Sequence, residues 1–272
     1  MHPILVHAGA FTIYTYGVLV ATGVLLALWY ARMQAPRAGL DPDSVWNLGI
    51  YMVLSAIVVA KIWFVLSDVR YYRQHPSEIF GWATLQSGGT FYGGVVGAIG
   101  FALIYLWVRK IPMLPLFDTY AFALPLGHAI GRMGCFMAGC CYGKPTTLPW
   151  SVTFTHEAAE RLVGTPLDIP LHPTQLYEAT VEFLNFLFLI WLGRRQTFRG
   201  QILGTYLVLY GAERGTIEFF RGDPGRTLMF HNAVSLMQLV SVALFCTGIF
   251  LWWRGLSNRA PLAAPALSRA RN

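Results

Sequence analysis

Lys61, Arg132, Arg214 and Glu218 sit inside otherwise apolar runs of this chain, and Tyr16 and Tyr92 open two further runs. A charged side chain within hydrocarbon costs on the order of 2.5 to 3.5 kcal/mol on insertion scales, so it is retained where it has a partner or lines a pathway. Two arginines facing a lipid-exposed cavity suit a phosphodiester, because the guanidinium fork binds phosphate oxygens in pairs and stays charged in low dielectric. The substrate implied is a phospholipid. A plainer reading pairs Arg214 with Glu218, four residues apart on one helix face. That reading leaves Arg132, Lys61 and the tyrosines unexplained. Gly127, Gly131, Gly134, Gly139 and Gly143 cluster around Arg132, where small residues allow close backbone approach.

These residues need elements to position them, and the composition says which kind. Of 272 residues, 55% are hydrophobic and 12% charged, against roughly 25% charged in an ordinary soluble domain. Apolar runs of spanning length fall near 13–31, 45–66, 90–108, 115–133, 178–193, 201–219 and 232–253; a span needs about 20 residues. The fourth is made irregular by Pro125 and its glycines, and the fifth is short and carries Glu182. The expected fold class is all-α: a polytopic membrane protein of about seven transmembrane helices. Residues 1–255 form one transmembrane domain with a long loop near 134–172, and 256–272, rich in Ala, Pro, Ser and Arg, is expected to be a disordered cytoplasmic tail. The amino terminus lacks a basic n-region, so the first run is expected to be retained.

Orientation follows from the Lys and Arg residues flanking the runs. With the carboxyl terminus cytoplasmic, eleven fall on the cytoplasmic side, six on the other, and three inside runs. The amino terminus is therefore expected outside. Lys61, Arg132, Arg214 and Glu218 then approach the outer face together, level with Tyr16 and Tyr92, which predicts one polar pocket there. The net charge of +7 forms no basic stripe with interleaved aromatics, so no nucleic-acid partner is expected. The absence of an internal repeat argues against a transporter built from duplicated halves.

Four cysteines, three of them at Cys135, Cys140 and Cys141, are too few for a disulfide framework. Adjacent Cys140 and Cys141 lack a second CxxC or a nearby His pair, so zinc is not expected, and no metal is assigned. A Cys135–Cys140 disulfide is a matter of geometry; packing as small hydrophobes is the default, for Cys246 as well. Asp118 is read as the cap of the helix it begins, His128 as a hydrogen-bonding partner for a neighbouring helix, and His172 as a loop boundary before Pro173.

Gly131-Arg132-Met133-Gly134-Cys135-Phe136, followed by Gly139-Cys140-Cys141-Tyr142-Gly143-Lys144, resembles the signature segment of the prolipoprotein diacylglyceryl transferase family. Further matching runs are Tyr14 to Gly17, Ser87 to Gly94, His172 to Glu178 and Tyr210 to Arg221, in family order. The resemblance implies a multi-pass enzyme of the bacterial inner (cytoplasmic) membrane with its active site toward the periplasm and no cofactor. The implied donor is phosphatidylglycerol and the acceptor is the lipobox cysteine of a preprolipoprotein; the products are a thioether-linked diacylglyceryl protein and glycerol 1-phosphate. Carried over by position, Arg132, Arg214, Glu218 and Tyr92 are catalytic: the arginines hold the donor phosphate and Glu218 orients Arg214 or the headgroup. Tyr16, Gly134, Gly143, Glu178 and Arg221, with Arg132, fall at substrate-binding positions.

Two departures matter. Tyr92 stands where many family members have His, and Cys135 where the signature usually has Asn. A tyrosine, with a pKa of about 10, is a poor base near neutrality, so electrostatics are expected to dominate, with Tyr92 as hydrogen-bond donor or positioner. The alternatives are a lipid or anion transporter, or a paralogous transferase with another donor or acceptor.

Overall fold

The computed structural model describes residues 2–8, 11–81, 84, 89–224, 226–229 and 233–258. Ser87 and Gly88 of the third matching run lie outside the described residues, as do Arg259, Arg269, Arg271 and the rest of the tail from 259. A hairpin of β1 (Ile4–Ala8) and β2 (Phe11–Tyr14) leads into α1 (Thr15–Gln34) and α2 (Pro42–Ser67). A short α3 (Val69–Gln74) precedes α4 (Phe91–Arg109) and α5 (Met113–Ala138). The long connection holds β3 (Val152–Thr153), α6 (Glu157–Val163) and β4 (Pro170–Leu171). It is followed by α7 (Thr174–Gly193), α8 (Gln201–Ile217), a hairpin of β5 (Leu228–Met229) and β6 (Val234–Ser235), and α9 (Leu236–Ser257).

The seven long helices fall on the seven apolar runs, with ends displaced by a few residues. Among the described residues, α1, α2, α4, α7 and α9 are long and apolar enough to cross a membrane. The other two long helices are more polar or shorter: α5 carries Asp118, His128 and Arg132, and the 17-residue α8 carries Glu213 and Arg214. The chain is mostly helical, in keeping with the all-α class, and among the described residues its strands form three short two-stranded antiparallel pairs. Their strands, of two to five residues, are too short to leave a legible alternation in the sequence.

Helix ends follow local chemistry. Asp41 accepts from the Ser44 amide at 2.7 Å to start α2, and hydrogen bonds from Ser44 hold its carboxyl below the usual carboxylate range. Ser235 and Gln238 exchange bonds of 2.9 and 3.2 Å in a capping box that starts α9. Helix α5 runs through Pro125 and ends at Gly139, whose φ of 87° suits a left-handed cap.

Helix α5 is the hub and packs against α1, α7 and α8, while α4 lies against α2 and α9 against α8. Where α1 crosses α5, a Cβ on Gly23 would sit 2.8 Å from the Gly127 carbonyl oxygen, so glycine sets the separation. Buried Leu48, Leu106 and Leu116 join α2, α4 and α5, and Phe122, Leu189, Ile202 and Tyr206 join α5, α7 and α8. Large apolar side chains such as Ile104, Trp107, Val242 and Trp253 point outward, the arrangement expected where hydrocarbon is the solvent. The 134–172 connection has its own small core of Tyr142, Phe154 and Leu171.

Candidate active site

The end of α5 meets the start of α1, the end of α8 and the start of α9 around a cavity of about 450 Å³. Arg132, Arg214, Glu218, Tyr16 and Tyr92 all line it, as the depth argument from the sequence anticipates. Lys61 does not; its ammonium donates to the Thr84 carbonyl oxygen.

Four guanidinium groups, those of Arg132, Arg214, Arg221 and Arg226, reach the cavity, each beside a carboxylate. Arg132 contacts Glu178 at 2.6 Å through Nη2 and donates from Nε to His128 Nε2 at 3.1 Å. His128 in turn bonds Glu182 through Nδ1 at 3.2 Å, which ties α5 to α7. Arg214 donates to Glu218 at 2.7 Å, and the second oxygen of Glu218 accepts from Arg226 at 2.8 Å. Glu218 therefore joins two arginines, the first of which has the partner anticipated from their four-residue spacing. Arg221 is held by both oxygens of Asp223 at 2.6 and 2.7 Å.

The remaining candidate residues act around this arrangement. Glu178, 1% exposed, is the partner of Arg132. Gly134 lies outside the cavity lining, and a Cβ there would sit 3.3 to 3.4 Å from Tyr16 and Leu19, so it brings α1 and Tyr16 close. Gly143 bridges to Arg221, and its amide donates to the His172 carbonyl at 3.0 Å. A Cβ there would lie 2.6 Å from that oxygen and 2.9 Å from the Phe220 oxygen, which only glycine avoids.

Two features were not read from the sequence. Arg226 lies in a connection between helices and Ser235 in no motif, yet both line the cavity. Cys135 and Cys141 line it too, and their sulfurs with that of Cys140 lie within 4.8 Å of one another. The Asp118 carboxylate departs from its expected role: buried within α5, it caps α8 instead of its own helix, accepting from the Gly200 and Leu203 amides at 2.6 and 2.8 Å.

The geometry offers a dense set of charge-assisted donors in a recess between helices, suited to a tetrahedral anion carried by a lipid. A family model described as prolipoprotein diacylglyceryl transferase matches residues 3–254. A phosphatidylglycerol–prolipoprotein diacylglyceryl transferase of Clostridium tetani is 32% identical over 254 residues, covering 93% of this chain and 97% of the relative. Those of Geobacillus kaustophilus and Trichormus variabilis are 34% and 35% identical, covering 92% and 94% of this chain and 90% and 88% of each relative.

Proposed function

Because this chain belongs to the prolipoprotein diacylglyceryl transferase family, we propose that the arginine-lined cavity is where a diacylglyceryl group passes from phosphatidylglycerol to a cysteine thiol. The enzyme is a transferase of the first step of bacterial lipoprotein maturation. The observation that carries the site assignment is that Arg132 and Arg214, from different helices, line one cavity.

In the reaction the acceptor sulfur, as thiolate, attacks the glycerol carbon that bears the phosphate. The carbon–oxygen bond breaks, and glycerol 1-phosphate leaves with the electron pair. Charge develops on the departing phosphate, where preorganised guanidinium donors stabilise it most. A guanidinium has five N–H donors. Arg132 uses Nη2 for Glu178 and Nε for His128, so it keeps donors for a phosphate without breaking either contact. Glu218 orients Arg214 and Arg226 in the same way. Tyr92 and Tyr16 border the headgroup, and Gly143 with Arg221 holds the loop that closes one side.

In this reading α5 and α8 complete seven spans, shielded by the five more apolar helices. The amino terminus and the cavity face the periplasm, the carboxyl terminus faces the cytoplasm, and the membrane is the bacterial inner membrane. The charge asymmetry of the loops supports that orientation, and the acceptor, an exported precursor with a lipobox cysteine, arrives from that side.

The test is to incubate the purified chain with phosphatidylglycerol vesicles and a lipobox peptide, then weigh the peptide. A mass gain of one diacylglyceryl group on the cysteine, absent from a Cys-to-Ser peptide, is expected. An unmodified peptide alongside phospholipid moved between leaflets would replace the enzyme with a transporter.

A further inference from the structure

The cysteines converge for a reason the fold makes visible. Cys135 occupies the last turn of α5, Gly139 ends that helix in the left-handed region, and Cys141 adopts a positive φ of 62°. A side chain with a Cβ is disfavoured there and persists where surrounding contacts impose it. Those contacts are specific. Thr165 donates to the Gly139 carbonyl at 3.0 Å, Gln175 to that of Cys140 at 2.7 Å, and Thr174 to that of Cys141 at 2.7 Å. Each carbonyl of the turn is pinned by one buried side chain. The result turns two adjacent thiols back toward a third, at the wall of the cavity that Arg132 lines.

Small packing residues, the role expected from the sequence, need no such strained and braced turn. Three sulfurs sharing one tetrahedral ion with bonds of about 2.3 Å stand roughly 3.8 Å apart. These three lie within 4.8 Å of one another, so closing onto one ion needs a shift of at most about 1 Å.

The geometry points to a three-thiolate Zn2+ site formed by Cys135, Cys140 and Cys141, whose fourth position faces the cavity and takes the cysteine sulfur of the acceptor. This rests on the transferase reading above and supplies what Tyr92 does not, a means of presenting the acceptor as thiolate near neutral pH. Three protein ligands with one open position are the pattern of catalytic rather than structural zinc. A thiol that coordinates such an ion is deprotonated outright, and its proton passes to solvent. The bound sulfur then attacks the glycerol carbon; the new sulfur–carbon bond replaces the carbon–oxygen bond, and the phosphate leaves into the arginines. The thioether product is neutral and a weaker ligand, so it vacates the ion. Three thiolates and one Zn2+ leave a net negative charge, which Arg132 offsets at the same wall.

The experiment uses the full chain, reduced, in lipid nanodiscs. The expected zinc content is about one per chain, lost in Cys135→Ser and in Cys141→Ser variants whose thermal unfolding shows them folded. Cobalt in place of zinc is expected to give thiolate charge-transfer absorption, with visible bands that shift on adding a lipobox peptide but not its Cys-to-Ser counterpart. Chelation is expected to lower turnover on the order of 10²- to 10⁴-fold, the range a positioned base supplies, and zinc to restore it. The proposal is overturned by wild-type chains that bind no zinc, by a disulfide joining two of the three cysteines in the active enzyme, or by turnover indifferent to chelation and to both variants. That last result leaves the transferase reading standing. Zinc binding and a peptide-dependent cobalt shift without any peptide modification support the site and break the transferase reading instead.

Discussion

Helix α5 carries a charge near each end, buried at Asp118 and partly buried at Arg132, and the two are satisfied in opposite ways. Asp118 accepts from the backbone amides of Gly200 and Leu203 and from the Gln196 side chain. Fourteen positions later, about 21 Å along the helix, Arg132 is held by two side chains, Glu178 and His128, beside a cavity. Asp118 has spent its acceptors on groups the chain cannot withdraw, and it fixes where α8 begins. Arg132 keeps donors in reserve and faces open space, so in the proposed function the same helix anchors structure at one end and offers charge to a ligand at the other.

The largest effect is expected from neutralising the cavity end. Changing Arg132 alone would strand Glu178, and a buried charge stripped of its partner costs about 3 to 5 kcal/mol, which would confuse folding with catalysis. The double change Arg132→Gln with Glu178→Gln removes both charges and keeps hydrogen-bonding groups. Its turnover is expected to fall on the order of 10²- to 10³-fold, as when a preorganised donor to a developing anion is lost, while the thermal unfolding midpoint stays close to the parent's. Parent-like turnover would make Arg132 a structural charge of the Asp118 kind and end the comparison.

The opposite outcome is expected at the other end. Asp118→Ala leaves the Gly200 and Leu203 amides without their acceptor, at a cost of about 1 to 3 kcal/mol for buried groups so stranded. The unfolding midpoint should fall and the yield of folded protein with it, while turnover per folded molecule holds. Measuring both on one preparation separates the effects. A collapse of specific activity at an unchanged midpoint would show the two ends to be coupled, against the division drawn here.

How much of this was legible in the sequence differs between the same two ends. The long helices were, because lipid selects unbroken apolar runs and those runs survive in composition alone; even Pro125 did not interrupt α5. The cavity residues Arg132, Arg214, Glu218, Tyr16 and Tyr92 were legible because charge in an apolar run has a cost and topology fixes its depth. Glu178 came only through the family resemblance, since one carboxylate near a helix start is unremarkable until its partner is known. Arg226 was hidden in a connection, and the role of Asp118 was hidden because its partners are backbone groups 82 and 85 residues away. The convergence of three thiols depends on one positive φ at Cys141, which residue type does not announce.

The smallest effect is expected at Tyr92, and it sharpens the comparison within the cavity itself. By the family resemblance it stands where many members carry an imidazole, and it lines the cavity from the start of α4. If guanidinium charge does most of the work, the tyrosine contributes at most one neutral hydrogen bond, worth about 0.5 to 1.5 kcal/mol, and Tyr92→Phe should lower turnover by roughly tenfold or less. The ring, and with it the packing of α4, is kept, so the unfolding midpoint should not move. Assayed beside the Arg132 and Glu178 double variant under one set of conditions, the two numbers should differ by at least an order of magnitude. Equal, near-complete losses would make the hydroxyl as necessary as the charge. The tyrosine would then be the proton acceptor, and the cavity would work by acid–base transfer more than by its field.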